Sequence, residues 1–410
     1  QIAFDTVFEN PFSSNCHAFP DARFDLDQVR RLRFDAVFIS HFHDDHCSLE
    51  SLDLLDRGTP LYIYCIFDEL FEMVRELGFN QVHKLETNVP VRVGPFEVIP
   101  REAIDSDVDS MYQVKAAGLN VLNVVDSWIS PVALRELVEE GPWDMVMWPF
   151  QTMREIEVLA PSRADAASRE LPAEWIDQLR MLAPRFVVPS SCQFVQEPWS
   201  WFRKRFFPIS YAQFQREVEA AMPASRVIRL NPSVSVVLTS DGLEMAPALN
   251  WVIPVGDQDV DYEYDSTLAP PPTSEVARNF AALSSTENQV VADYCDKGLL
   301  DKYRDMELPD DSYFQQPRIW RLSVFDHAGE GRQFHFRVEG DTITKADPID
   351  GPLAWTTEIP AAKLYAALEQ GESLTSMYMR INDEVFDAAI EEDIESAEII
   401  DDPLIRCLFN

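Results

Sequence analysis

The chain reads as a layered α/β protein followed by a small α+β domain, and three observations predict this. Over the first 250 residues, apolar runs of strand length alternate with segments of helical periodicity. Two of those runs deliver clustered polar residues at their ends, His41 to His46 and Asp126. Near residue 255 the register changes. Asp257, Asp259, Asp261, Glu263 and Asp265 fall within nine residues, and Pro270-Pro271-Pro272 follows, the mark of an acidic, stiff linker. At 410 residues the chain exceeds one ordinary core. The expected division is a metal-binding domain over 1–255, linker and helices over 256–317, and a small α+β domain over 318–410.

Taken in order, Ile2-Ala3-Phe4 is a strand that runs into Asp5 and a turn-rich segment from Glu9 to Asn15. Ala36 to Ile39 is a buried-type strand. Asp44 to Leu55 reads as a helix, with Leu49, Leu52 and Leu55 on one face and acids at its start. Leu61 to Ile66 is another strand. Val91 to Val93 and Phe96 to Ile99 form a hairpin turned at Gly94-Pro95. Tyr112 to Lys115 and Leu119 to Val125 form a second, turned near Gly118. Met145 to Trp148 and Phe186 to Pro189 are further strands, with a helix over 172–182 between them. Val234 to Leu238 is a late strand before Ser240-Asp241-Gly242. Residues 275–305 are helical, 318–358 carry four short strands, and helices follow.

The chemistry concentrates in His41-Phe42-His43-Asp44-Asp45-His46, which holds three of the seven histidines. It directly follows the Ala36–Ile39 strand, so several ligands converge on one point. Imidazole with carboxylate suits zinc, iron or manganese.

This motif, so placed, resembles the metallo-β-lactamase superfamily. The resemblance implies a four-layer αβ/βα sandwich with metals at one edge. It assigns His41 and His43 to one metal site, Asp45 and His46 to the other, and a bridging role to Asp126 in Val121-Leu122-Asn123-Val124-Val125-Asp126. Asp5 matches the family's early structural aspartate. Two family histidines are missing. Where one is expected, the loop Ile104-Asp105-Ser106-Asp107-Val108-Asp109-Ser110 offers Asp105, with Asp107 as the alternative. Where the other is expected, the chain reads Val188-Pro189-Ser190-Ser191-Cys192. Either carboxylate replaces histidine, giving a two-His-one-carboxylate set, or the site is degenerate and binds one ion or weakly. Residues 1–250 further look like the branch containing CMP-N-acetylneuraminate hydroxylase. The absence of a Cys-x-His Rieske pair keeps that enzyme's electron-delivery module and its substrate from being carried over. Residues 318–410 weakly resemble a sterol-carrier-protein-2-type domain.

The expected ligands are therefore His41, His43, Asp45, His46, Asp105 and Asp126, with Asp126 and Asp45 as the catalytic carboxylates. One or two ions are expected, iron ahead of zinc or manganese. The expected activity is O₂-dependent oxidation or hydroxylation of a small molecule. Hydrolysis of a phosphodiester, lactone or similar bond by a metal-bound hydroxide is the alternative, and a non-catalytic binding scaffold the third reading. His17, Arg203, Ser191 and Cys192 are candidate pocket residues, although Cys192 more often packs than ligates. Arg203 lies among Trp199, Trp201, Phe202, Phe206 and Phe207, where inward packing of the aromatics is the preferred reading.

A formal charge of −36, from 34 basic and 70 acidic residues, argues against nucleic acid and anionic membranes as partners. No apolar run approaches the roughly 20 residues of a membrane span. Six scattered cysteines without a Cys-x-x-Cys pair suit a reducing cytoplasm. A small-molecule substrate, a redox partner protein and a homodimer complete the expectations.

Overall fold

The computed structural model describes residues 1–150, 153–191, 193–306, 312–348, 350–372, 374–383 and 401–409. Cys192 lies outside them. They form two compact units.

The first unit comprises Gln1–Thr152, Ser168–Val195 and Phe207–Tyr264. Its first sheet is parallel, in the order β1 (Ile2–Phe4), β2 (Ala36–Ile39), β3 (Leu61–Ile63), β4 (Val82–Lys84). The second has seven strands: β5 (Val91–Val93), β6 (Phe96–Glu102), β7 (Ser110–Ala116), β8 (Leu119–Asn123), β9 (Met145–Pro149), β10 (Phe186–Ser190) and β11 (Arg226–Val227), hydrogen-bonded in that order. β5 to β8 pair antiparallel through the two expected hairpins. Ala117 and Gly118, both at positive φ, close the second. β8 to β11 are parallel, linked through helices Pro131–Glu139, Ala173–Leu182 and Tyr211–Ala221.

All four residues of β2 are buried, because this strand is covered on both faces. Ala36 and Phe38 pack with Val98 and Tyr112 of the second sheet. Val37 and Ile39 pack with Leu52, Phe71 and Val74 from the outer helices. On the far side, Leu122, Val146, Trp148 and Val187 pack with Leu134, Leu137, Leu179, Phe214 and Val218. Helix, sheet, sheet, helix: the unit is a four-layer αβ/βα sandwich, the fold that the histidine motif implied.

One element departs from expectation beside the motif. Residues 44–47 do not extend the helix, which spans only Leu49–Asp53. The amides of His46 and Cys47 both donate to the His43 carbonyl, at 3.0 and 2.7 Å, closing a tight turn. Ser48 then caps the helix by accepting from Ser51 N at 3.0 Å. The strand after it is also shorter than expected, ending at Ile63.

The second unit comprises Met153–Ala167, Gln196–Phe206 and Asp265–Asn410. The division at 255 is thus corrected in two ways: the first unit runs on to Tyr264, and two earlier segments belong to the second unit. Buried Glu157 pairs with Arg205 at 2.9 Å, and Ser162 Oγ donates to the Asp383 carbonyl at 2.8 Å. Those interactions tie the segments to residues remote in sequence. The 256–317 stretch is likewise no simple linker: Asp261 accepts from Ala212 N at 3.3 Å within the first unit.

A five-stranded sheet carries the second unit, in the order β14 (Thr342–Lys345), β13 (Gly331–Glu339), β12 (Arg318–Phe325), β15 (Leu353–Pro360), β16 (Arg380–Ile381). Only β12 and β15 pair in parallel. Fully buried Asp402 accepts from Trp355 Nε1 at 2.7 Å and Leu404 N at 2.9 Å, fixing helix Pro403–Phe409 to this sheet. Among the described residues, no helix is long and apolar enough to cross a membrane.

Candidate metal centre

The site grows from the ends of β1 and β2. Phe4 is in register with Phe38, and Asp5 N donates to Phe38 O at 2.9 Å. Asp5 takes a positive φ of 43°, which aspartate tolerates better than most residues. Its carboxylate accepts from Ser40 N at 2.7 Å and Ser40 Oγ at 2.9 Å, and lies 3.2 Å from His46 Nδ1. Ser40 Oγ is 3.0 Å from His41 Nδ1.

These bonds place a proton on each Nδ1. The Ser40 hydroxyl gives its proton to Asp5, so it accepts from His41 Nδ1–H. Asp5 likewise accepts from His46 Nδ1–H. Both rings are left with Nε2 facing the centre.

Asp126 faces those nitrogens from the end of β8. Its Oδ2 is 3.2 Å from His46 Nε2 and 3.8 Å from His41 Nε2. The residue before it, Val125, is buried at φ 64°. A β-branched side chain pays for that left-handed conformation, and Asp126 is thereby turned off the strand. Asp45 Oδ2 lies 3.7 Å from His46 Nε2.

Among the described residues, two groups have donor atoms all within 4.8 Å of one another: His41, His43 and Asp45, and His41, His46 and Asp126. His41 belongs to both. Asp45 thus stands near both His43, by that grouping, and His46, the residue with which the resemblance paired it.

The charges are set by the same contacts. Burial, then the charge of His46, lowers the pKa of His41 to about 3, so its imidazole is neutral. Burial works against a charge on His46, yet hydrogen bonds to Asp126 and Asp5 hold its pKa well above the usual value. Burial raises Asp45. It also works to raise Asp126, where the hydrogen bond and charge of His46 win and hold the carboxyl well below its usual range.

In the loop expected to supply Asp105, Asp109 is the aspartate that approaches His41, though it too falls in neither donor group. Asp105 and Asp107 are exposed and fall in neither group. Asp109 Oδ1 lies 3.8 Å from His41 Nδ1. The cause is the next residue: buried Ser110 Oγ donates to Ser40 O at 2.9 Å and brings the start of β7 against the histidine strand. Burial, then the charges of Asp126 and Asp105, pushes the Asp109 carboxyl up to about 7.

That shift has a sign. Between the unfolded value near 4 and about 7, the folded metal-free protein keeps a proton that the unfolded chain has lost. Stability therefore falls as pH rises through this window. Asp109→Asn removes the dependence and is expected to stabilise metal-free protein at pH 8 by up to about 4 kcal/mol, with little gain at pH 4. Thermal melts of chelator-treated protein at both pH values check this; equal melting of the two proteins at pH 8 would contradict it.

Of the other candidates, His17 pairs its backbone with Val195 and lies in neither group. Ser191 follows β10 at φ 45°. Arg203 belongs to the second unit, where Nη1 donates to Gln196 O at 2.8 Å. Its neighbours Trp201, Phe202 and Phe206 are buried, in line with inward packing. Sequence reasoning missed Asp109 and Ser40. The signal for Ser40 was present: a hydroxyl at a strand end, directly before the first histidine.

No protein-family model matches the chain, and no curated protein does. Solved structures are similar to it. CmlA, a diiron β-hydroxylase from Streptomyces venezuelae, shares 16% identity over 52% of this chain and 45% of its own, with a TM-score of 0.37. An isothiocyanate hydrolase from Delia radicum gut bacteria shares 10% over 60% and 92%, also at 0.37. YhfI from Bacillus subtilis, a metallo-β-lactamase fold protein, shares 13% over 48% and 75%, at 0.31. The chain spans less than half the length of CmlA. The CMP-N-acetylneuraminate hydroxylase and sterol-carrier-protein-2 resemblances find no counterpart in these matches.

Proposed function

We propose that this protein is a metal-dependent enzyme that oxidises a small molecule with O₂. The ligands in this reading are His41, His43, Asp45, His46 and Asp126, with Asp109 standing outside them on the Nδ1 side of His41. The observation that carries it is the donor set, three imidazoles with the carboxylates of Asp45 and Asp126, and a further carboxylate, Asp109, close by. A set so rich in oxygen suits iron or manganese better than an all-histidine zinc site. The residues fit an ion: Nε2 of His41 and Oδ1 of Asp126 are buried without a hydrogen-bond partner in the described structure, and His41 is neutral, as a ligand must be.

When bound, iron supplies O₂ activation. The chain's own residues do the rest. Asp5 and Ser40 hold the imidazole tautomers. Asp126 stays ionised across the neutral range. Exposed apolar groups border these elements and suit a substrate with an apolar part. Phe67 packs on Phe42, which packs on His43, while Ile104 N donates to the carbonyl of exposed Trp128.

The test is elemental analysis of protein purified anaerobically without added metal, with optical spectra before and after O₂. Near-stoichiometric iron and a spectrum that changes with O₂ are expected. Zinc alone would replace this reading with hydrolysis, and protein unable to retain any metal would replace it with a binding scaffold.

A further inference from the structure

Four chain segments ring the two donor groups, and they are tied to one another. The first is 40–48, the histidine motif with its flanks. Phe67 packs on Phe42, with ring centres 5.3 Å apart, and brings 64–69 alongside it. The Tyr64 hydroxyl donates to Ser106 O and the Ser110 hydroxyl to Ser40 O, which fixes the 104–110 loop. Ile104 N donates to Trp128 O at 2.8 Å and joins that loop to 125–130. These segments hold eight acidic residues and no Lys or Arg. At the chain's own ratio of 34 basic to 70 acidic residues, about four basic residues would accompany them.

Elsewhere in the first unit acids pair with bases, as Asp53 does with Arg57, Asp56 with Arg33, Glu140 with Lys115 and Asp144 with Arg185. Around the centre, none of Asp44, Asp68, Glu69, Asp105, Asp107 and Asp109 pairs with Lys or Arg among the described residues. Lys84, at the end of β4, is turned onto the Phe71 ring, at 5.8 Å. Asp68 and Glu69 have a local use at the start of the helix Asp68–Glu76, and Asp44 accepts from Ser13. Asp105 and Asp107 have no such use. Both are exposed, and among the described residues no hydrogen bond or ion pair engages either carboxylate. Like charges two positions apart repel, and the fold gains nothing from them.

Divalent ions would not cancel this rim. Their charge is largely met by Asp45 and Asp126 among the donors and by Asp5 behind them. The outer carboxylates remain, beside two exposed aromatic rings, Phe67 and Trp128. Trp128 stands two residues beyond Asp126 and is backed by Trp175 at 5.4 Å. Carboxylates attract a cation by charge, and aromatic faces attract it through the ring quadrupole. An anion is repelled by the first and gains nothing from the second.

We propose that the substrate is a cation, a protonated amine carried on a small apolar body, with its ammonium group set by Asp105 and Asp107 and the Trp128 ring beside it. As a statement about substrate this rests on the enzymatic reading above. As a statement about what binds at the centre it does not.

Full-length protein loaded with Mn²⁺, and in parallel with Zn²⁺, is titrated at pH 7 with 2-phenylethylammonium, 2-phenylethanol and 3-phenylpropionate by ligand-observed NMR. At low salt the ammonium should bind in the millimolar range or better, about tenfold tighter than the alcohol, with the carboxylate weaker still. At 0.5 M salt the gap should shrink to about threefold. The bound cation should relax faster beside Mn²⁺ than beside Zn²⁺, which distinguishes the centre from the rest of an acidic surface. The double variant Asp105→Asn, Asp107→Asn changes only exposed side chains outside the donor groups. It should keep its Mn²⁺ and lose most of the tenfold preference. Equal binding of ammonium and alcohol, tighter binding of the carboxylate, relaxation that ignores the Mn²⁺, or an undiminished preference in the double variant would each overturn the proposal. Failure of the enzymatic reading shows separately, as a free Mn²⁺ signal in electron paramagnetic resonance that the protein does not reduce. The order of the three probes on metal-free protein then still decides whether the site takes a cation.

Discussion

His41→Ala is expected to empty the centre altogether, whereas His43→Ala or His46→Ala should each spoil only one of the two donor groups. His41 is the residue common to both. Even an outer partner of a ligand can be worth about 10–100-fold in metal affinity, so loss of a shared ligand should exceed about 100-fold at both positions and take activity with it. The fold should survive. The fully buried imidazole is held neutral at a cost, and its depressed pKa means that it destabilises metal-free protein progressively as pH falls from 6.5 towards 3. The alanine variant should therefore lose less stability than its wild-type counterpart on acidification. Metal analysis with thermal melts at pH 5 and 7.5 decides the matter. Full occupancy in the variant would sink the ligand assignment.

Asp5→Asn should show the second-largest effect, at a residue in neither donor group. Asparagine accepts the same left-handed backbone, so the φ of 43° is not the variable. The carboxylate is. It receives Ser40 N, Ser40 Oγ and His46 Nδ1, and through Ser40 it also sets the proton on His41. An amide NH₂ in place of one oxygen meets a donor with a donor. Metal affinity should fall about 10–100-fold, and metal-free stability by about 1–3 kcal/mol. Metal competition titrations and urea melts measure the two. Unchanged affinity with lowered stability would leave Asp5 a purely structural residue.

Much of this centre was legible because it is local. A strand ending in six residues with three histidines needs no knowledge of the rest of the chain, and Asp126 advertises itself at the end of Val121 to Val125. The choice among Asp105, Asp107 and Asp109 was not legible. All three are aspartates at alternate positions of one loop, and the contact that brings Asp109 up to His41 is a bond from Ser110 to Ser40, 70 residues away. The short helix at 49–53 was hidden for a related reason. The leucine spacing suited a longer one, but the His43 carbonyl gathers two amides into a turn that spacing cannot reveal. Ser162 with Asp383, and Glu157 with Arg205, likewise decide which unit owns a segment, and no composition shift marks residues 153–167 or 196–206.

That ownership bears on how the molecule can be taken apart. Two modules strung in series can be exchanged, or grown from a ribosome one after the other. These two are sewn: the second takes stitches from the chain at 153–167 and 196–206 before its main body begins at Asp265. A ribosome that has finished the sandwich sequence has already released two strips that can pair with each other through Glu157 and Arg205 while later partners such as Asp383 do not yet exist. A shuffling event with its breakpoint in the acidic segment would carry away a sheet and leave its stitches behind.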